Sequence, residues 1–360
     1  MKRLASFCAK HPLSILLLAL PLTLLGELLG WPPLWTFIFA AVGIIPLAAN
    51  IGEATEALAA YTGAHMGALL NATLGNAAEL IITIIAVRAG LLELVKASIT
   101  GSILGNLLLV LGFSMLVGGV RNGIQIFDRR NAGRSAILLV LAVVAMIIPS
   151  LLSHSIGPEG SLKVEALSIG VALVMIILYS LGLLEASRSR PSESPVVHKI
   201  PNSALPHWSK GQALLILALT TSGIVWLSEV LVRAIQPVMA GLGISEFFLG
   251  IILIPVIGNV AEHLVAVQLA GHNQMDLSVE IAVSSSLQIA LFVAPLLVFA
   301  SLALGHPLTL IFNSFELLAL LAGVVISALV SADGESTWLE GASLLAVYLI
   351  LSLAFFLLPG

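Results

Sequence analysis

The chain has 360 residues, of which 59% are hydrophobic and only 9% charged, with a formal net charge of −4 and a mean hydropathy of +1.11. An ordinary soluble domain carries roughly 25% charged residues; this chain has too little polar surface to cover itself in water, and a bilayer removes that difficulty because lipid accepts side chains that are apolar all round. The single cysteine, Cys8, excludes an internal disulfide framework and a thiolate metal cluster, and no basic cluster with interleaved aromatics points to nucleic acid.

In chain order, Lys2, Arg3 and Lys10 precede an apolar run from Leu13 to Leu29. The run is long enough to span and lacks a convincing small-x-small cleavage site, so it is read as a retained first helix rather than a signal peptide. A span takes about 20 mostly apolar residues. That ruler places eleven, at roughly 12–30, 34–60, 64–89, 94–120, 132–154, 162–185, 211–240, 243–271, 275–303, 307–331 and 337–359. Turn residues at Trp31, Pro32 and Pro33, at Thr62 and Gly63, and at Gly305, His306 and Pro307 mark three of the boundaries. One connection is long: residues 186–210 hold Arg188, Arg190, Pro191, Pro195, Lys199, Pro201, Pro206 and Lys210 and read as a polar, proline-punctuated linker. The expected organisation is an all-α polytopic membrane protein with an N-terminal transmembrane helix (1–30), a five-helix unit (31–185), a cytoplasmic linker (186–210) and a second five-helix unit (211–360).

Orientation follows from basic residues near the span ends. With the N-terminus in the cytoplasm, the inside collects eleven (Lys2, Arg3, Lys10, Arg121, Arg129, Arg130, Arg134, Arg188, Arg190, Lys199 and Lys210) and the outside four (Arg88, Lys96, Lys163 and Arg233). The expected C-terminus is outside.

Comparing the chain with itself at an offset of 183 residues aligns GNAAE at 75–79 with GNVAE at 258–262, Gly67 with Gly250, Ser102 with Ser285, Leu104 with Leu287 and Val110 with Val293. The copies fall on the third and eighth spans, an odd number apart, so they cross the membrane in opposite directions. That is an inverted-topology duplication, an architecture of secondary transporters whose site lies near the midplane between the repeats. Gly–Asn in mid-span, with Pro255 three residues before Gly258, predicts locally opened helices whose freed carbonyls are available to a cation.

Glu79 and Glu262 each lie deep in an apolar span, where a carboxylate costs about 2.5–3.5 kcal/mol even on the insertion scale. Such a charge needs a partner, a proton or an ion, and two of them carry the charge that one divalent cation neutralises. Asn76, Glu79 and Thr83 are spaced to share one helix face, and Asn259 with Glu262 repeats the pair. Carboxylate, amide and main-chain oxygens make a hard-oxygen set that suits Ca²⁺ better than softer transition metals. Ca²⁺ needs the acids ionised and desolvation favours their neutral form, so metal and protons would compete for one site. If the chain rocks freely only when either ligand neutralises that charge, exchange follows.

A lone intramembrane glutamate is often a plain interhelical hydrogen bond; the duplicated Asn–Glu pair argues against that reading here. Glu53 and Glu56, in GEATE of the second span, are either ion-path residues or caps of the inner end of that helix, and Glu229 is placed with the path. Ser285 and Gln288 either complete a cation shell or bond across helices. His263, beside Glu262, faces Leu80 in the first copy. Glu316 is expected in a structural bond, Glu246, Asp276 and Glu280 at interfaces, and His65, His154 and His306 in loops.

Together GEATEALA, LLNATLGNAAELI, GSILGNLLLVLG, SEFFLGIILIPVIGNVAEH and SSSLQIALFVAP resemble the cation/proton exchangers (CAX) of the Ca²⁺/cation antiporter superfamily, from about residue 43 to the end. The resemblance implies a first helix outside two inverted five-span repeats, and Ca²⁺/H⁺ antiport without nucleotide hydrolysis or a cofactor. It matches the family's paired essential acids to Glu79 and Glu262, its motif asparagines to Asn76 and Asn259, its second-repeat histidine to His263, its second-span glutamates to Glu53 and Glu56, and its later polar pair to Ser285 and Gln288. Two departures stand out. Many relatives carry an acidic segment between the halves, whereas 186–210 holds only Glu193 as an acid, and Gln236 stands where relatives often have one. The rival readings are a Na⁺-coupled or broader divalent cation exchanger, which would share the fold, and a passive channel. An intramembrane enzyme is disfavoured, since neither HExxH nor GxSxG occurs. The compact loops fit a prokaryotic cytoplasmic membrane, and a homo-oligomer is compatible with the sequence.

Overall fold

Inside a bilayer no water is available to main-chain N–H and C=O groups, so a spanning segment satisfies them within itself as a helix. The computed structural model describes residues 12–62, 67, 70, 71, 73–158, 160–188 and 208–358. The basic residues expected at Lys2, Arg3, Lys10, Arg190 and Lys199, together with Cys8, His65, Glu193 and the linker prolines, lie outside the described residues.

A 3-10 segment, Pro12–Leu18, leads into α1 (Ala19–Leu29). Then follow α2 (Pro33–Thr62), α3 (Ala77–Arg88) and α4 (Leu92–Leu104), the last continuing through a π-helical turn, Gly105–Val110, into α5 (Leu111–Asn122). Strand β1 (Gln125–Ile126) precedes α6 (Arg129–Ile156) and α7 (Leu162–Arg188). After the linker come α8 (Lys210–Leu242) and the short α9 (Glu246–Phe248), which passes through a second π-helical turn, Leu249–Leu253, into α10 (Ile254–Gly271). Helix α11 (Met275–Gln288) joins α12 (Ala294–Ala303) through a third such turn, Ile289–Val293. Helix α13 (Ser314–Val330), β2 (Glu335–Ser336) and α14 (Trp338–Leu357) complete the chain. The two strands pair antiparallel, Gln125 with Ser336 and Ile126 with Glu335.

Among the described residues, eight continuous helical segments are long and apolar enough to cross a membrane, and Ile15–Leu29 and Ser314–Val330 are shorter apolar helices. The protein is an integral, multi-pass, all-α membrane protein. In the core, α8 lies along α2 and against α3, α10 packs on α2 and α5, and α4 meets the Leu249–Leu253 turn. Outward faces of α6, α7, α8 and α14 remain apolar and exposed, for example at Ile137, Val174, Leu219 and Ile350, as lipid-facing surfaces do.

Two expected spans differ in detail. The span at 307–331 begins its helix only at Ser314, because Asn313 and Glu316 form a capping box there. The stretch before it is extended, and buried serines of neighbouring helices accept its N–H groups: Leu308 N donates to Ser301 Oγ, Leu310 N to Ser168 Oγ and Phe312 N to Ser150 Oγ. The span at 64–89 is interrupted by a turn at Gly75 and Asn76: the described residues 67, 70, 71, 73 and 74 before it are helical, and the helix resumes at Ala77.

Candidate functional site

Helix α3 begins where it does because Gly75 turns tightly. Its N–H donates to Asn71 O at 2.8 Å, and a Cβ there would lie 2.7 Å from that oxygen. Asn76 takes the N-cap position with φ −95° and ψ 20°. The expected common helix face for Asn76, Glu79 and Thr83 is thereby corrected: Asn76 precedes the helix, and the Thr83 hydroxyl turns back to its own helix, donating to Glu79 O at 2.8 Å. The opened backbone breaks the period on which the expectation rested.

Glu79 is fully buried in the first turn of α3. Its Oε1 accepts a short hydrogen bond from the Ser102 hydroxyl on α4, and its Oε2 accepts from Asn259 Nδ2 on α10 at 3.1 Å. Asn259 Nδ2 also lies 3.4 Å from Ser102 Oγ. Glu262, one turn along α10, accepts from the Ser285 hydroxyl of α11 at 3.1 Å through Oε2 and is partly exposed. The Ser285 hydroxyl also lies 3.5 Å from Asn76 Oδ1, while Asn76 Nδ2 donates to Gln288 Oε1 at 2.8 Å.

Each acid rests against the glycine of the other motif. A Cβ at Gly258 would lie 3.4 Å from Glu79 Cβ, and one at Gly75 would lie 3.4 Å from Glu262 Oε1. The small residues are what let α3 and α10 bring their carboxylates into one cluster. Among the described residues neither acid has a Lys or Arg ion pair. Asn259 Oδ1 is buried without a hydrogen-bond partner, a desolvated acceptor that a cation would satisfy. The described residues contain no cluster of three or more His, Cys, Asp or Glu that could hold a metal. A cation here would therefore draw on amide, hydroxyl and main-chain oxygens besides the two carboxylates, a set that fits Ca²⁺.

Two polar residues escape the sequence-derived site. Ser102 was legible as the partner of Ser285 at the 183-residue offset, yet only the fold shows it bonding Glu79. Asn106, in the π-helical turn after α4, donates to Ser285 Oγ at 3.0 Å and meets His263 Nε2 at 3.1 Å through Oδ1; its offset partner is Ile289, so self-comparison passes over it.

The remaining candidates lie apart. Glu53 and Glu56 are exposed on α2, well inside the helix that ends at Thr62, so the capping alternative does not hold. Glu229 pairs with Arg88 at 2.8 Å; Arg88 is nine residues beyond Glu79 on α3, about 13 Å along the axis. Beside it, Arg233 pairs with Glu27 at 2.7 Å and donates to Glu229 O. Glu316 is buried and structural: Oε2 accepts from Asn313 N at 2.8 Å and Oε1 lies 3.4 Å from the Thr100 hydroxyl. Glu246 Oε1 accepts from Leu94 N, capping the first turn of α4. Asp276 accepts from Asp128 N, and His154 falls within α6 rather than in a loop.

Residues 32–185 and 212–357 match the model of the sodium/calcium exchanger protein family. The chain is 45% identical to a Ca²⁺/H⁺ antiporter of Aphanothece halophytica, with 96% of each chain covered, and 42% identical to the Ca²⁺/H⁺ antiporter ChaA of Bacillus subtilis, over 94% of this chain and 96% of that one. Among solved structures it superposes on native YfkE with a TM-score of 0.84 at 40% identity, covering 96% of this chain and all of that one. An H⁺/Ca²⁺ exchanger CAX structure gives 0.73 at 14% identity over 96% of this chain and 92% of that one, a likeness of fold alone.

Proposed function

The chain belongs to the sodium/calcium exchanger protein family, on its cation/proton exchanger branch, and from that premise we propose that it exchanges Ca²⁺ for protons across a membrane by alternating access. The observation that carries this reading is the joining of Glu79 and Glu262, from separate halves of the chain, in one polar cluster whose reciprocal contacts run through Asn259, Ser102, Ser285 and Asn76. Relatives named Ca²⁺/H⁺ antiporters at 42–45% identity over nearly the whole chain support it.

Ca²⁺ is the cargo. Glu79 and Glu262 supply two negative charges, Asn259 Oδ1 offers a free amide oxygen, and Asn76 with Gln288 closes the neighbouring side. Ser102 and Ser285 each donate to a carboxylate and so hold the acids in place. Protons arriving on the same carboxylates remove the charge that retains the metal, so each ligand displaces the other. Rocking between access states proceeds with the charge neutralised, since an uncompensated pair is costly to carry through a dry interior.

The architecture we propose is an N-terminal helix outside two inverted five-helix repeats, 31–185 and 211–360, giving eleven spans. The recurrence of the Ser–Glu hydrogen bond at an offset of 183, Ser102 to Glu79 and Ser285 to Glu262, supports it. So do the π-helical turns at 105–110 and 289–293, which coincide at that offset over 106–110. The N-terminus is cytoplasmic and the linker 186–210 lies on that side. Glu53, Glu56 and Glu229 line the approaches, and His263 adjoins the site on the inner side. The deciding experiment is Ca²⁺ uptake into proteoliposomes driven by an imposed pH gradient without Na⁺. Robust uptake is expected; uptake that requires Na⁺, or that ignores the proton gradient, would replace this reading with a Na⁺-coupled exchanger or a channel.

A further inference from the structure

Between β1 and the N-terminal turns of α6 and α11 lies a cavity of about 630 Å³. It is separate from the exchange site: Val283, which lines it, and Ser285, which bonds Glu262, are two residues apart on α11 and so point to nearly opposite sides of that helix. Hydrogen bonds fix its rim. Phe127 N donates to Gly334 O at 2.9 Å and Asp128 N donates to Asp276 Oδ1, while Asp128 Oδ1 accepts from Arg130 N at 2.8 Å and Asn131 N at 3.2 Å. That cap meets the N–H groups of Arg130 and Asn131, so side chains rather than the helix end present charge to the cavity. The charge is of both signs. Helix α6 contributes Arg129 and Arg130, and α11 contributes Asp276 and, one turn on, Glu280. Among the described residues neither arginine and neither of these acids makes an ion pair. Ala132, Val279 and Val283 give the cavity a buried apolar floor.

We propose that this cavity is a headgroup site for a zwitterionic membrane lipid, phosphatidylethanolamine. The membrane-length segment of α6 begins at Arg129, which puts the cavity at the level of the lipid headgroups. A phosphate there meets Arg129 and Arg130, whose guanidinium forks suit its oxygens. The primary ammonium, with three N–H donors, meets Glu280 and Asp276. The acyl chains also have a place. Ile126 is exposed on the rim, and Ile137, Leu141, Val144 and Ile148 continue from Arg130 at steps of seven, four, three and four, which keeps them on one exposed helix face. Arg130 and Leu141 are eleven residues apart, about 16 Å of helix, close to the depth of hydrocarbon in one leaflet, about 15 Å. A lipid with a phosphate and no ammonium would set its anion against Glu280 and Asp276 with nothing to meet them. A soluble phosphoamine would leave the apolar stripe unused.

The assignment is independent of the exchange reading and is tested by binding. The full chain, purified in detergent, is titrated with dioleoyl phosphatidylethanolamine and with dioleoyl phosphatidylglycerol, and bound lipid is counted by native mass spectrometry. Wild type should take up its first phosphatidylethanolamine about ten-fold more tightly than its first phosphatidylglycerol, since a charge-assisted contact replaces a repulsion. Glu280→Gln removes the group that reads the ammonium; it should bring the ratio to within about two-fold of unity without weakening phosphatidylglycerol. Arg130→Gln removes a phosphate contact and should weaken both lipids by at least about five-fold. Both side chains are exposed, so the thermal midpoint of each variant should match wild type. Equal affinity of wild type for the two lipids, a ratio unmoved by Glu280→Gln, or unchanged binding in Arg130→Gln would overturn the site. Free phosphoethanolamine in large excess should not displace the lipid; displacement would overturn the lipid assignment in favour of a soluble phosphoamine.

Discussion

A carboxylate within a bilayer is tolerable only if something meets its charge, and around Glu79 that something is a set of hydrogen-bond donors rather than a cation of the chain. Glu79→Gln and Glu262→Gln each remove a charge while keeping the shape. Each is expected to abolish pH-driven Ca²⁺ uptake while membrane insertion and yield are retained, as fractionation and gel filtration would report. Ser102→Ala removes the donor to Glu79 Oε1; a hydrogen bond to a charged group contributes about 1.5–3 kcal/mol, so the KM for Ca²⁺ should rise at least about ten-fold. An unchanged KM would show that the serine is a bystander. The acids and asparagines were legible because their residue types repeat at one offset. The bonding of Ser102 and the presence of Asn106 were not, because hydrogen bonds between α3, α4, α10 and α11 join residues 23 to 212 positions apart in sequence, and no local period encodes such pairings.

At the scale of elements, the close crossing of α4 with the Leu249–Leu253 turn governs whether the two motif-bearing halves can meet. A Cβ at Gly101 would lie 2.0 Å from Ile251 O, and one at Gly250 would lie 2.7 Å from both Ala97 Cβ and Leu94 O. Main chain resists such displacement, so Gly101→Val should lower the thermal unfolding midpoint strongly or prevent recovery of monodisperse protein. Gly105→Ala is the control: nothing lies within 4 Å of its Cβ and its φ of −58° suits any residue, so its midpoint should match wild type. Equal midpoints for the two variants would remove the crossing from the account. Helix existence was readable from apolar length. The late start of α13 was not, since it depends on serines of α6, α7 and α12 accepting N–H groups from the extended stretch before it. Nor were the π-helical turns, which insert one residue into a helix without changing its apolar character.

For the whole molecule, the proposed orientation makes a prediction that needs no transport assay. Ile124 is 65% exposed beside β1, and Leu304 is 37% exposed at the far end of the α11–α12 segment; that segment has 29 residues, about 43 Å of helix. In a Cys8→Ser background, a cysteine at Ile124 should react with a membrane-impermeant maleimide only from the cytoplasmic side, and one at Leu304 only from the opposite side. Labelling of both from one side would refute the assigned topology. The count of basic residues supplied this orientation from sequence, because it depends on loop composition rather than on packing. The pairing of β1 with β2 was invisible to that count: Gln125 and Ser336 come from loops far apart in the chain and meet only once the bundle is assembled.

The absence of side-chain space where Gly101 meets Ile251 has a mechanical meaning. Two rods that touch core to core at one spot can pivot there without losing contact, whereas pulling them apart opens a gap that nothing fills. Ser102 sits one residue from that bearing and hence has almost no lever arm, so a swing of the continuous α4–α5 segment displaces its far ends, at Leu92 and Asn122, while the grip of Ser102 on Glu79 travels least.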